Sequence, residues 1–324
     1  MHPNNNTTCD AESQKVVSSF LAPLLITELL LGLPGNLMAL FIFCRHFHSW
    51  RPNILFLFNL ILADFLLLVS LPFRIDAYMR SENWMFGDAW CRINLYMLAI
   101  NRSASISFMT AVAVHRYFKV VHPHNKINCI SSRQAGGIAC FIWMVVTLTR
   151  LPLLTNRLLI TKNNFSYCRS FSMKNPPIGI KLHYVIYIAE FILPLLILFF
   201  CSFRISCILK KRQMDREKKV RQAIRTVLVI VVVFILCFFP GVATGLIALY
   251  LEKRINEYCN AYKVVSELFV LSIGVTYLNS ALDPVIYCFS SSMFRNSIKR
   301  SINRSGLVQL RLSRHPSAVS GIES

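Results

Sequence analysis

Apolar positions fall into seven long blocks along the chain: Phe20–Cys44, Ile54–Met79, Ile93–Val114, Ala135–Leu154, Tyr184–Leu209, Ala223–Tyr250 and Val264–Phe289. Each is too long for a strand and reaches the roughly 20 residues that a helix needs to cross a hydrocarbon core. A helix also satisfies its own backbone in lipid, which an open strand cannot. The pattern predicts an all-α bundle of seven transmembrane helices over residues 20–289, after an extracellular segment over 1–19. Downstream, Phe294, Ile298 and Ile302 recur every four residues beside Arg295, Lys299, Arg300 and Arg304. That spacing predicts a short amphipathic helix over 290–305 lying on anionic membrane lipid. The polar stretch 306–324 predicts a disordered cytoplasmic tail, with Ser313, Ser317, Ser320 and Ser324 as candidate phosphate acceptors. No cysteine follows Cys288, so no palmitate anchor is expected in that tail.

Composition sharpens the picture. Of 324 residues, 55% are hydrophobic and 15% charged, which excludes intrinsic disorder and an ordinary soluble domain. The 35 Lys+Arg against 15 Asp+Glu give +20, which in a soluble protein would suggest a nucleic-acid partner. Here the cations cluster on alternate sides of the blocks: Arg45 and Arg51, then Arg116, Lys119, Lys126 and Arg133, then the run from Lys210 to Arg225, then the tail. That is the positive-inside pattern of loops facing anionic lipid, so no nucleic-acid partner is expected. It places the N-terminus outside and the C-terminus inside, as an odd number of spans requires. Residues 1–15 are polar, so the first span is expected to act as the insertion signal. Sequons at Asn5, Asn6 and Asn164 fall on the outer face and are glycosylation candidates, whereas those at Asn101 and Asn303 do not. Of 11 cysteines, Cys9, Cys91, Cys168 and Cys259 lie in the oxidising outer regions, where four cysteines allow three pairings.

Charges inside the spans are the informative exceptions. Asp64 in the second span and Asp283 in the seventh each cost roughly 3 kcal/mol or more at membrane depth. With Asn36, Ser105, Asn279 and Ser280 nearby in the pattern, they suit a small hard cation such as sodium, or equally a polar network that packs helices. Pro284 after Asp283 frees a backbone carbonyl. Arg102 lies midway along the third block, which holds no acid of its own. A buried cation needs an anion from elsewhere. A ligand carboxylate is the favoured partner, and another helix's acid such as Glu190 is the alternative. Metal-site spacing, phosphate loops, nucleophile elbows and CxxC pairs are all missing, so no enzyme is expected. An organic-acid transporter is a rival, but the sequence lacks the repeated halves common in transporters.

Several motifs together resemble a rhodopsin-like (class A) G-protein-coupled receptor. They are Gly35-Asn36, Leu62-Ala63-Asp64, Cys91, His115-Arg116-Tyr117, Trp143, Pro194, Cys237-Phe238-Phe239-Pro240 and Asp283-Pro284-Val285-Ile286-Tyr287, in that order. Within the class, Trp84–Asp88, Asn101–Ser105, Tyr117–His124, Leu198–Ser202 and Tyr277–Pro284 resemble the hydroxycarboxylic-acid and oxoeicosanoid receptor group. Phe20–Pro23, Ala39–Cys44 and Gly245 look more like its oxoeicosanoid branch, since the other branch usually carries Arg at the position of Gly245. The resemblance implies a receptor for a carboxylate-bearing lipid or small acid, coupled to an inhibitory-type G protein, with arrestin and receptor kinases as further partners. It implies a Cys91–Cys168 bridge, a Cys9–Cys259 bridge, and a carboxylate anchor at Arg102. Ser170 and Tyr277 would be hydrogen-bond partners there, and Arg74 a second cation. It also implies an allosteric sodium site at Asp64, Ser105, Asn279 and Asp283, no other cofactor, and a switch formed by His115, Arg116, Tyr117, Phe238 and Tyr287. Three residues depart from the class: His115 stands where an acid is usual, Phe238 where Trp is usual, and Asp283 where Asn is commoner. With Val220 offering no carboxylate to Arg116, His115 predicts a loosely held inactive state. Phe238 reads equally as core packing, and Trp84 as an interfacial anchor rather than a ligand contact.

Overall fold

The computed structural model describes residues 15–45, 51–123, 130–162, 164–171, 177–211 and 217–304. Helices α1 (Lys15–Arg45), α2 (Pro52–Met79) and α3 (Gly87–Val121) are followed by α4 (Ser132–Arg150) and the single turn α5 (Pro152–Thr155). A hairpin of β1 (Leu159–Lys162) and β2 (Phe165–Cys168) leads into α6 (Ile178–Lys211), α7 (Glu217–Glu252), α8 (Cys259–Ser290) and α9 (Ser292–Arg304). Among the described residues seven spans are long and apolar enough to cross a membrane, the fourth running from α4 through α5; six of the seven expected blocks lie inside them, and the fifth, Tyr184–Leu209, overruns its span by one residue.

Local chemistry explains several boundaries. α2 starts on Pro52, whose missing N–H costs nothing in a first turn. α4 opens with a capping box, in which Ser131 Oγ accepts from Gln134 N while Gln134 Oε1 accepts from Ser131 N. The fourth block does not run through as one helix. It breaks at Leu151, which itself keeps helical backbone angles (φ −48°, ψ −37°), where Pro152 has no N–H to continue the hydrogen-bond ladder.

The helices pack around a core rich in Phe43, Phe108, Phe234, Phe238 and Tyr287, all fully buried. Small residues set two close approaches: a Cβ on Gly35 would meet Pro284 Cγ at 2.7 Å, and one on Gly274 would meet Leu21 Cδ2 at 2.3 Å. Both draw α1 against α8. α9 tucks Phe294 back into the bundle against Phe43 and Tyr287, at ring separations of 5.8 Å and 5.8 Å. Phe294 and Ile298 of the expected apolar stripe thus pack on the protein core.

The outer hairpin is the element that the sequence pattern did not announce. Leu159 pairs with Cys168 and Lys162 with Phe165, and the reversal is made with Asn164 at φ 63°, a conformation that Asn tolerates. Its β2 end is tied to α3 by the Cys91–Cys168 disulfide, with Cα atoms 5.7 Å apart. Ser166 accepts from Trp84 N at 2.7 Å, and its own N–H donates to Asn83 Oδ1 at 3.1 Å. Cys259 is disulfide-bonded, while Cys9, Asn5, Asn6 and residues 305–324 lie outside the described residues.

Candidate functional site

The hairpin, α2, α3, α4, α6 and α8 enclose a cavity of about 120 Å³ toward the outer end of the bundle. The four positions expected to bind ligand, Arg74, Arg102, Ser170 and Tyr277, all lie in its wall. The rest of the lining is largely apolar or aromatic, including Leu95, Leu98, Phe171, Phe269 and Ile273.

Arg102 is buried, and its guanidinium sits over the Tyr187 ring at 3.7 Å and over the Phe238 ring at 5.6 Å. Its Nη1 donates to Glu190 Oε2 at 3.3 Å and its Nη2 to the Tyr187 carbonyl at 3.3 Å. Nε finds no acceptor among the described residues. The acid weighed as the alternative partner, Glu190 on α6, is therefore in contact with Arg102, and the cavity lies beside the pair. Arg74 donates to the Cys168 carbonyl at 2.8 Å and lies 5.6 Å from the Trp84 ring centre. Trp84 is buried under the hairpin, donates from Nε1 to the Gly87 carbonyl at 2.9 Å, and also lines the cavity. The Ser170 carbonyl accepts from Tyr184 at 3.1 Å. Farther out Arg169 pairs with Glu82, and burial lowers that guanidinium's pKa from its ordinary value without discharging it.

Sequence reading missed Arg150 and His183. Arg150 at the end of α4 is almost wholly buried, lines the same cavity and also pairs with Glu190. The signal was available, since Arg150 is a cation inside an apolar block, as Arg102 is. Glu28 of α1 is another missed charge, buried with neither carboxylate oxygen partnered among the described residues.

Below the cavity, Asp64, Ser105, Asn279 and Asp283 are completely buried. Tyr287 donates to Asp64 Oδ2 at 3.1 Å, and Asn36 Nδ2 donates to the Ser280 carbonyl at 2.9 Å. Asp64 Oδ1, Ser105 Oγ, Asn279 Oδ1 and both Asp283 oxygens have no partner among the described residues. Buried oxygens left unmatched carry a desolvation cost, and two carboxylates beside neutral oxygens form a hard donor set. These residues fit sodium.

At the end of the bundle opposite the cavity Arg116 is not idle. It donates to the Ser290 carbonyl at the end of α8. Asn53 from α2 reaches the same oxygen at 3.4 Å, and Thr226 from α7 reaches the Phe289 carbonyl at 3.0 Å. His115 Nδ1 is buried without a partner among the described residues, and Tyr117 contacts His122 Nε2 at 3.2 Å. Val220 is buried and offers no charge. Phe238 is fully buried edge-on to Phe234 at 5.2 Å, as core packing predicts, and it also lies beneath Arg102.

The bundle of seven membrane-length helices, with a cavity near one end and a buried polar cluster below it, is the fold of a transmembrane receptor family. Residues 35–287 match the family "7 transmembrane receptor (rhodopsin family)", and the chain belongs to it. It is therefore a multi-pass plasma-membrane protein of a receptor family, not an enzyme family. It is 44% identical over 285 residues to hydroxycarboxylic acid receptor 2 of Homo sapiens, covering 88% of this chain and 78% of that protein. Identity to oxoeicosanoid receptor 1 of Homo sapiens is 39% over 290 residues, covering 88% and 73%. To the 12-(S)-hydroxy-5,8,10,14-eicosatetraenoic acid receptor of Mus musculus it is 34% over 301 residues, covering 91% and 92%.

Proposed function

We propose that this receptor, with its N-terminus outside, binds the carboxylate of an extracellular acid on Arg102 and signals through an inhibitory-type G protein. One observation carries the reading: Arg102 is buried in the wall of a mainly apolar cavity, yet only two long hydrogen bonds and the face of the Tyr187 ring hold its guanidinium among the described residues. A planar guanidinium grips a carboxylate through two parallel hydrogen bonds. Arg74, Ser170 and Tyr277 supply further polar contacts from the same wall.

The favoured ligand is an oxidised polyunsaturated fatty acid. Gly245 on α7 lies behind the cavity-lining Phe269, packed so close that a Cβ there would sit 3.0 Å from its ring. That end of the site is thus aromatic where a cation would favour a second polar group. A small hydroxy acid is the second reading, supported by the compact cavity, since drug-sized ligands occupy roughly 300–1,000 Å³ against about 120 Å³ here.

The route to the inner end runs through Phe238. A ligand that pulls Arg102 disturbs the ring beneath it, two residues before Pro240, where α7 lacks one ladder hydrogen bond. Outward movement of α7 would then open a cytoplasmic cleft for the G protein, and later for receptor kinases and arrestin. Sodium at Asp64, Ser105, Asn279 and Asp283 would bias the same equilibrium by holding α2, α3 and α8 together.

A G-protein activation screen across lactate, 3-hydroxybutyrate, nicotinate and oxidised eicosanoids tests the reading. Activation by an oxidised fatty acid supports the favoured ligand, and activation by short acids alone supports the second. Accumulation of radiolabelled acid in proteoliposomes would instead establish the transporter rival.

A further inference from the structure

Glu190 is shared unequally between two guanidinium groups. Arg150, only 1% exposed, meets Glu190 Oε2 through Nη2. Its Nε and Nη2 donate to Ser103 Oγ at 3.1 Å and 2.7 Å, and its Nη1 meets His183 Nδ1 at 2.7 Å. Ser103 Oγ in turn donates to Glu190 Oε2 at 2.9 Å. Every nitrogen of Arg150 is engaged, whereas Arg102 has two long contacts and an unpartnered Nε.

We propose that Arg150 is a positioning residue for acid binding: it keeps Glu190 paired, so that Arg102 can exchange Glu190 for a ligand carboxylate. This rests on the reading of Arg102 as the anchor. With Arg102 and Glu190 alone the pair would be neutral, and an entering carboxylate would leave a largely buried acid without a counter-charge, which is unfavourable. With Arg150 added the cluster holds two positive charges and one negative. One monoanionic carboxylate brings it to zero. The site therefore selects an acid with a single negative charge at this end. It rejects a zwitterion, whose ammonium would face two guanidiniums at low dielectric. Binding would loosen the link from α3 to α6 while leaving the link from α4 to α6 in place.

The test measures potency and surface binding in intact cells at matched receptor density. The probes are 12-(S)-hydroxyeicosatetraenoic acid and 3-hydroxybutyrate, each beside its methyl ester. Arg150→Gln should shift free-acid potency rightward about tenfold or more, because Arg102 becomes locked to Glu190. Glu190→Gln should shift it leftward. The double variant, Arg150→Gln with Glu190→Gln, should return to within about threefold of native. If Arg150 only supports packing, the double variant is at least as impaired as the single one. That result, or lost potency in Glu190→Gln, overturns the proposal. Should Arg150→Gln not reach the surface, Arg150→Lys decides: it keeps a charge on Glu190 and must stay within about threefold of native, and a tenfold loss overturns the proposal. Arg102→Ala is run in parallel. Unchanged potency there, or silence of the native receptor to both acids, removes the anchor reading and this inference with it. Dependence on Arg102 without rescue in the double variant removes this inference alone.

Discussion

Two arginines on α3, Arg102 and Arg116, lie fourteen residues apart, about 21 Å at 1.5 Å per residue. The outer one faces a carboxylate that a second guanidinium also holds. The inner one has no acid partner among the described residues and donates to the Ser290 carbonyl at the negative end of the α8 dipole. Between them the imbalance reverses, since Asp64 and Asp283 are buried together with unmatched oxygens. The same side chain thus sits in two settings: at the outer end in an ion cluster beside a cavity, and at the inner end against the negative end of a helix dipole. The difference teaches that the outer end is set by ion pairing and the inner end by helix geometry, so substitutions should act differently on each.

The largest effect is expected from removing the outer arginine. Arg102→Ala should cost about 2–5 kcal/mol of acid binding, because a desolvated carboxylate is left without its partner. That is a potency shift of at least about 30-fold. Arg102→Lys should already be weakened, since a point charge lacks the planar fork. The methyl ester of the same agonist should be weak on the native receptor and nearly insensitive to the change. Normal potency for the free acid in Arg102→Ala at the surface would make Arg102 a structural cation, and the two arginines would then differ only in partner.

A second cation at the outer end should sharpen the contrast. Gly245→Arg forces the cavity-lining Phe269 aside, because even a Cβ would touch its ring, and brings charge behind an apolar wall. Potency for an oxidised fatty acid should fall about tenfold, while that for 3-hydroxybutyrate holds or rises. Equal shifts for both acids would show that the wall at 245 does not read chain length.

The acid cluster between the arginines should respond to sodium. Exchanging potassium for sodium should weaken agonist potency about fivefold, as the ion favours the conformation in which these oxygens converge. Asp64→Asn should abolish that response, leaving potency equal in the two salts. A response that persists would place the cation elsewhere.

The sequence disclosed what breaks a periodic rule and hid what obeys one. Seven apolar blocks announced seven spans because lipid admits few alternatives for a backbone. Arg102, Asp64 and Asp283 stood out because each sits deep in an apolar block. Arg150 and Glu28 broke the same rule less visibly: Arg150 is four residues from the end of its block, where a cation commonly snorkels to the interface. Its burial depends on α6 and the hairpin, which are remote in sequence. The hairpin itself was illegible, because four-residue strands carry little periodicity and Asn164 marks only a turn. The partner of Arg116 was illegible for a different reason: it is a backbone carbonyl, and any residue at 290 would supply it.

Giving the inner end the acid that the outer end possesses is the subtlest test. His115 carries no negative charge in either protonation state, so Arg116 rests on the Ser290 carbonyl and on whatever holds α8 in place. His115→Asp would put a carboxylate one residue from Arg116 on the same helix end. The new pair is partly buried, and contacts of that kind contribute about 1 kcal/mol. It competes with the Ser290 carbonyl for the guanidinium and ties Arg116 to its own helix, which disfavours the rearrangement that opens the inner cleft. A shift of that size changes a minor population about fivefold, so basal signalling should fall by that order at matched surface expression while agonist affinity moves little. His115→Asn, similar in shape to the acid but neutral, separates charge from sterics and should leave basal signalling near native. If His115→Asp leaves basal signalling unchanged, the α8 carbonyl is a sufficient latch by itself. The two ends of α3 would then differ in chemistry but not in how firmly each is held.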